Sequence, residues 1–367
     1  MISRSLTGAA AVAAASPGPL EAPPAAAPAA SAAPWQAALR DAVSSVGELL
    51  DLLSLPAALL PAGLLAARDF PLRVPRGFAA RMRPGDPGDP LLLQVLPAAG
   101  ELVASPGFTA DPLAEDAVSP VPGVLHKYPG RALLLVTGAC GVHCRYCFRR
   151  HFPYAEHTGR AAWPRAVEHL ARDPSLHEVI LSGGDPLALA DAHLAPLAER
   201  LAAIPHLRTL RVHTRMPVVL PERVDAALLA WLGGTRLQPV VVLHANHAQE
   251  LDATAAAAIA RLRGAGAVVL NQAVLLAGVN DSLEAQAELS RRLLACGALP
   301  YYLHQLDRVR GASAFAVSDR RALALERALR ERLPGYLVPR LVREVPGAPC
   351  KLPVAQAMDE APAGFGA

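Results

Sequence analysis

From residue 132 onward, short apolar runs alternate with longer stretches whose apolar positions recur every three to four residues. The runs predict strands over 132–136, 178–181, 209–213, 239–243, 268–271 and 300–304. The stretches between them predict helices near 163–172, 191–203, 222–232, 249–263 and 282–296. A strand-then-helix unit repeated about every thirty residues is the signature of a parallel sheet in an α/β fold. Upstream the pattern differs. Residues 35–67 read as helical, with Leu49, Leu50, Leu52, Leu53 and Leu55 leading to Pro56 and a second short run over 57–67. Residues 69–124 are rich in Pro and Gly, as in Pro84-Gly85-Asp86-Pro87-Gly88-Asp89-Pro90, which predicts a segment that wraps a folded body. Residues 1–34 are Ala/Pro-rich and almost uncharged, so a disordered tail is expected there.

Composition narrows the function classes. A chain of 367 residues, 52% hydrophobic and 18% charged, can bury one large core or two modest ones. Its formal charge of +3 gives no dominant attraction to nucleic acid or to a membrane surface. The apolar runs are short and broken by Pro or charge, so no transmembrane span is expected. Arg4 followed by the small residues Gly8 to Ala15 lacks the Leu-rich core of a signal peptide. Five cysteines, an odd number and mostly clustered, do not form a disulfide framework, and a reducing compartment, the cytoplasm, is expected.

Three of those cysteines fall in Gly138-Ala139-Cys140-Gly141-Val142-His143-Cys144-Arg145-Tyr146-Cys147-Phe148-Arg149-Arg150, a C-x3-C-x2-C pattern on the loop after the first of these strands. Three thiolates on one loop can hold a zinc ion or three irons of a 4Fe-4S cluster. Zinc wants a fourth protein ligand, and His143 sits cramped between the thiols, whereas a three-cysteine cluster leaves one iron open to a substrate or cosubstrate. In barrels of parallel strands the chemistry sits on the loops after the strands' C-terminal ends, so the polar residues there belong together. These are Ser182-Gly183-Gly184-Asp185-Pro186, Thr214-Arg215, His244-Ala245-Asn246-His247 and Asn271-Gln272. Gly183 and Gly184 allow close backbone approach, and the Asp185 carboxylate can accept from an ammonium group. A plain Gly-rich turn and structural histidines are the alternatives.

The cysteine spacing, with aromatic Tyr146 before the last thiol, resembles the radical S-adenosylmethionine superfamily. The resemblance implies an open (β/α)6 partial barrel with an N-terminal helical cap, and a 4Fe-4S cluster on Cys140, Cys144 and Cys147. S-adenosylmethionine then chelates the open iron and yields a hydrogen-abstracting 5′-deoxyadenosyl radical. The turn Ser182-Gly183-Gly184-Asp185 is similar to the motif that holds the methionyl amine in that superfamily, and Arg215, His244 and Gln272 are further cofactor-binding candidates at the same barrel end.

Three longer runs point to one family. Phe70-Pro71-Leu72-Arg73-Val74-Pro75-Arg76 through Leu125-His126-Lys127-Tyr128, the segment from Cys144 to Tyr154, and Leu270-Asn271-Gln272-Ala273-Val274-Leu275-Leu276 resemble the lysine 2,3-aminomutase family. The likeness covers about residues 49 to 355 and is nearest to the short branch, the elongation factor P β-lysylation proteins. It implies pyridoxal 5′-phosphate as a second cofactor. Lys351, in Pro346-Gly347-Ala348-Pro349-Cys350-Lys351-Leu352-Pro353, matches the lysine that forms the imine, and Lys127, Tyr128 and Arg131 match the phosphate contacts. Relatives carry Ser or Gly before that lysine and Thr after it, where this chain has Cys350 and Leu352, and Lys127 stands where the free-lysine enzymes have arginine. Arg149 is placed to clamp the substrate carboxylate, and Asp307 and Glu344 match the acidic pair for the distal ammonium.

The reaction so implied is isomerisation of L-α-lysine to (R)-β-lysine, with an electron from a donor such as flavodoxin or ferredoxin. A separate ligase then attaches the product to elongation factor P. A free-lysine mutase, a mutase of another amino acid and a non-catalytic zinc-binding module remain as alternatives, with Lys351 a solvated tail lysine and Asp307 and Glu344 ordinary ion pairs in the last case. The long enzymes build an intersubunit zinc site from a C-terminal extension and a cysteine; this chain ends sixteen residues after Lys351 and has Ser282 at the cysteine's place, so that site is not expected. The expected organisation is a tail over 1–34, a helical and wrapping segment over 35–126, the partial barrel over 127–310, and a C-terminal segment over 311–367 that carries the pyridoxal lysine.

Overall fold

The computed structural model describes residues 33–359. The tail expected over 1–34 lies outside the described residues except at its end, where Pro34 opens the helix Pro34–Arg40. Nine strands form one sheet in sequential order: β1 Val124–Tyr128, β2 Arg131–Thr137, β3 Glu178–Gly183, β4 Thr209–Thr214, β5 Gln238–Leu243, β6 Val268–Val274, β7 Leu299–His304, β8 Arg340–Arg343 and β9 Leu352–Pro353. Strands β2 to β8 are parallel, and β1 and β9 pair antiparallel at the two edges. Because every crossover steps to the next neighbour in the same direction, the helices gather on one face and the sheet curls into an open barrel.

The six strands predicted from apolar runs are β2 to β7, each within three residues of its expected bounds. Two helices begin later than predicted, because an aspartate cap decides the first turn. Asp225 accepts from Leu228 N at 2.9 Å and starts Ala226–Gly233, while Asp252 accepts from Ala255 N at 2.8 Å and starts Ala253–Gly264. Helix Leu283–Cys296 ends at Gly297, whose φ of +83° is a left-handed stop.

Three strands and one long helix were not legible in the apolar rhythm. Strand β1 joins β2 through Pro129-Gly130, with φ of +75° at Gly130, and Tyr128 faces Arg131 across the turn. Residues 311–367 contain the helix Asp319–Arg332, and β8 hydrogen-bonds to β7, so the sheet runs on past residue 310. The segment over 69–124 makes only short helical turns and isolated bridges, Val74 to Val43, Thr109 to Val309 and Val121 to Val124, and Leu91, Leu92 and Val95 in it are fully buried. Among the described residues no helix is long and apolar enough to cross a membrane.

Burial along the strands sets up the site. In β4 the pattern alternates, with Leu210, Val212 and Thr214 buried and Thr209, Arg211 and His213 half-buried. The half-buried positions of β6 and β7 include Gln272 and His304. A sheet closed on both faces by apolar packing would hide both sets, so the polar, half-buried set marks the face that is left for a ligand.

Candidate active site

The cysteine loop follows β2 and is held from outside by the wrapping segment. His143 N donates to Arg73 O at 3.0 Å and Arg145 N to Gln94 O at 2.9 Å. Two buried guanidiniums, Arg145 and Arg150, share the Glu101 carboxylate, and each lies 4.9 Å from the Phe70 ring. Gly183 and Gly184 press on the loop from β3. A Cβ on Gly183, whose φ is +133°, would lie 2.2 Å from Thr137 O, and one on Gly184 would lie 2.4 Å from Ala139 O. The close approach predicted for these glycines is thus made to the loop's own backbone.

Asp185, expected as an open acceptor for an ammonium group, is instead a tie between three elements. Its oxygens accept from Thr214 Oγ1 at 2.7 Å, Arg215 N at 2.7 Å, Leu187 N at 3.0 Å and Met216 N at 3.2 Å, and its own N donates to Ala139 O. The reason is the sequence: Pro186 opens a 3-10 turn that Asp185 caps. Arg215 also has an inward role. Its Nη1 donates to Cys144 Sγ and to Tyr146 Oη, both at 2.8 Å, and its Nη2 to Gln94 Oε1 at 2.6 Å and Glu250 Oε2 at 2.8 Å.

Cys140, Cys144 and Cys147 are free thiols on this loop. Burial and the neighbouring thiols push Cys140 up and raise Cys147 to about 11, so thiolates there need a bound cation. Among the described residues no three His, Cys, Asp or Glu side chains are arranged to enclose a single metal ion. Three soft donors on one loop fit a cluster, in which each thiolate binds a different iron and no fourth protein ligand is needed, whereas a zinc tetrahedron wants a fourth.

The barrel mouth holds the second set of predicted residues. Lys351 is ion-paired with Glu344 Oε2, and Lys127 Nζ lies 2.7 Å from Glu344 Oε1 and 3.0 Å from Glu115 Oε1. Arg149 Nε and Nη2 donate to Glu115 at 2.6 and 2.9 Å, and its Nη1 to Ser182 Oγ and Gly183 O, both at 3.3 Å. A continuous line of alternating charge, Lys351–Glu344–Lys127–Glu115–Arg149, therefore crosses the mouth. Burial would raise Glu344 and Glu115, but Lys351 and Lys127 hold Glu344 well below the usual carboxylate range, and Arg149 and Lys127 lower Glu115. Among the described residues Asp307 makes no such pair. Burial, with the Glu344 carboxylate beside it, lifts Asp307 to about 7.

Lys127, expected on a phosphate, is thus committed to two carboxylates. Arg131 has one long hydrogen bond, to Pro129 O at 3.5 Å, and its guanidinium lies 4.7 Å from the Tyr128 ring. Near Lys351, His213 Nε2 and His304 Nε2 are buried without a hydrogen bond among the described residues, and the Tyr128 hydroxyl lies beside the Glu344 carboxylate. Gln272 Nε2 reaches His244 Nε2 at 2.7 Å, and the His213 and His244 rings are 6.3 Å apart. Burial, together with nearby cations that include Lys351, keeps all three histidines neutral, His244 falling to about 3. These unpaired imidazole nitrogens leave polar atoms that a ligand could bond, and Lys351, Tyr128 and the imidazoles are the residues that could hold a polar cofactor here.

Glu115, Glu250 and Gln94 were not foreseen. Each has the partners that tie it to the site far along the chain, Gln94 accepting from Asn246 across 152 positions, Glu250 from Arg215 and Glu115 from Arg149, although Glu250 also closes a local capping box with His247. Pro153 follows the Arg149-Arg150 pair, but only the fold brings Glu115 to Arg149.

Comparison with known proteins agrees with this arrangement. The family model described as the Radical SAM superfamily matches residues 134–239. L-lysine 2,3-aminomutase of Escherichia coli (strain K12) is 50% identical over 322 residues, covering 87% of this chain and 94% of the relative. The proteins of that name from Haemophilus influenzae and Clostridium subterminale are 45% and 33% identical, covering 86% and 87% of this chain and 94% and 77% of theirs. With a cysteine loop on a parallel α/β sheet and alignment over most of the chain to these relatives, the chain belongs to the lysine 2,3-aminomutase family of radical S-adenosylmethionine enzymes, a family of isomerases that implies a 4Fe-4S cluster and S-adenosylmethionine.

Proposed function

We propose that the protein isomerises L-α-lysine to (R)-β-lysine with pyridoxal 5′-phosphate as its second cofactor, and that the product serves modification of elongation factor P by a separate ligase. The observation that carries this is the charge line at the barrel mouth, in which Arg149 stands at one end and Lys351, Glu344 and Asp307 at the other. A ligand with a carboxylate at one end and an ammonium at the other matches those two ends. When bound, the cluster with S-adenosylmethionine supplies a hydrogen-abstracting radical, and the pyridoxal ring supplies a π-system that lets nitrogen move between adjacent carbons. The chain's own part is placement. Lys351 holds the pyridoxal aldehyde, Glu344 and Asp307 take the distal ammonium, and the neutral imidazoles of His213, His244 and His304 offer hydrogen bonds without adding charge. The tie to elongation factor P rests on the likeness to the short branch, with Lys127 where the free-lysine enzymes have arginine and Ser282 where they have a zinc-site cysteine. It is tested by the mass of elongation factor P in a deletion strain: loss of the β-lysyl adduct is expected, and an unchanged mass leaves the free-lysine enzyme as the reading.

Asp307 gives this reading a pH signature. An unfolded aspartate ionises near 3.9, while the folded one keeps its proton to about 7, so it costs stability as pH rises through that interval. An arriving ammonium favours the ionised form and expels the proton. The groups facing Asp307 are Glu344, Lys351, Lys127 and Glu115, of which the carboxylates raise it and the lysines lower it. The KM for L-lysine is therefore expected to fall as pH rises toward about 7 and to level off above it, and Asp307→Asn should flatten that slope. A slope unchanged in Asp307→Asn assigns the proton to another group.

A further inference from the structure

The guanidinium of Arg149 has no pair of donors left with which to clamp a substrate. Glu115 takes the Nε and Nη2 edge at 2.6 and 2.9 Å, and Ser182 Oγ and Gly183 O take Nη1. A carboxylate is gripped best by two parallel N–H groups, so a bidentate grip on a ligand requires one of these partners to leave. Ser182 and Gly183 lie in β3, which is paired on both sides within the sheet. Glu115 lies on a one-turn 3-10 helix, Glu115–Val118, of the wrapping segment. Glu115 is the partner that can move. Two further features make its departure feasible. Lys127 already lies 3.0 Å from Glu115 Oε1, so the displaced carboxylate keeps a cation. A cavity of about 60 Å³ bounded by Asp111, Glu115, Phe148, Arg149 and Phe152 adjoins the pair and gives the side chain room to turn.

We propose that Glu115 is a specificity-determining residue that stands in for the substrate's α-carboxylate on Arg149, and that an amino acid enters by exchanging its carboxylate for that of Glu115. This rests on Arg149 being the carboxylate-binding residue of the proposed reaction. A carboxylate replacing a carboxylate leaves Arg149 paired throughout, whereas a diamine cannot displace Glu115, because stripping a buried ion of its partner is costly. The exchange thus makes the α-carboxylate a condition of entry. If Glu115 merely held Arg149 in place, removing its charge would weaken amino-acid binding; as a competitor, its removal strengthens it.

The test is calorimetric titration of the pyridoxal 5′-phosphate-loaded protein with L-lysine and with cadaverine, its decarboxylated analogue. Wild-type protein that does not prefer lysine to cadaverine overturns both the role of Arg149 and the exchange. Where wild type does prefer lysine, Glu115→Gln is expected to bind lysine about tenfold more tightly, the order of one charge-assisted hydrogen bond, with cadaverine affinity unchanged. Lysine affinity that is unchanged or weaker in Glu115→Gln overturns the proposal and makes Glu115 a positioning residue. Glu115→Asp, which keeps the charge on a shorter arm, is expected to move lysine affinity in the same direction by less, and it decides the sign should the glutamine variant not fold.

Discussion

Lys351→Ala is expected to leave the protein folded and iron-loaded while reducing L-lysine isomerisation at least about a thousandfold. The size follows from what anchoring is worth, since well-oriented intramolecular reactants reach effective molarities of about 10⁵ M and beyond. Folding should survive because Glu344 keeps Lys127 at 2.7 Å when Lys351 is gone. The loss is one charge-assisted hydrogen bond, about 1.5–3 kcal/mol. The cysteine loop is anchored independently, through Arg73, Gln94 and Glu101, so the iron–sulfur absorbance should be unchanged. The measurement is product formation beside the visible spectrum of the same sample. A variant that turns over normally refutes the assignment of Lys351.

Arg215→Met is expected to destabilise the fold by about 3–5 kcal/mol, read as a lower midpoint of urea unfolding by circular dichroism. Arg215 is buried against Glu250, which has no exposure at all, and no other cation pairs with that carboxylate among the described residues. Glu250 would keep hydrogen bonds from Asn246 N, His247 N and Gln94 Nε2 but not its counter-charge. The double variant Arg215→Met, Glu250→Gln removes both charges and should recover at least half of the loss, because the penalty comes from the stranded ion. Simple additivity of the two single effects would show that the pair is not coupled.

How much of this was legible depended on the range of the interaction. Period-2 and period-3.6 patterns are local, and they located β2 to β7 and the helices between them. The three cysteines stood out because a loop motif keeps its thiols within a few residues, whereas Lys351, a lone lysine in a Gly/Pro-rich loop, was singled out only by the family resemblance. Strand β8 carries only Leu341 and Val342 between arginines, and Asp319–Arg332 is mostly charged, so neither stands out as a run. Asp185 and Arg215 were placed at the right end of the barrel, but their partners were not foreseen. Thr214, Cys144 and Glu250 meet them only once the sheet has curled. Glu115 was missed for the same reason: in a Pro-rich stretch a carboxylate beside Asp111 and Asp116 reads as solvated, and it gains its meaning from Arg149 and Lys127.

The most direct test of the central claim is product analysis of L-lysine incubated anaerobically with the reconstituted, reduced protein, S-adenosylmethionine and pyridoxal 5′-phosphate. Accumulation of (R)-β-lysine, with ornithine and glutamate left unchanged, is the predicted result. Unaltered lysine from protein that carries its iron–sulfur cluster and binds the pyridoxal cofactor would contradict it.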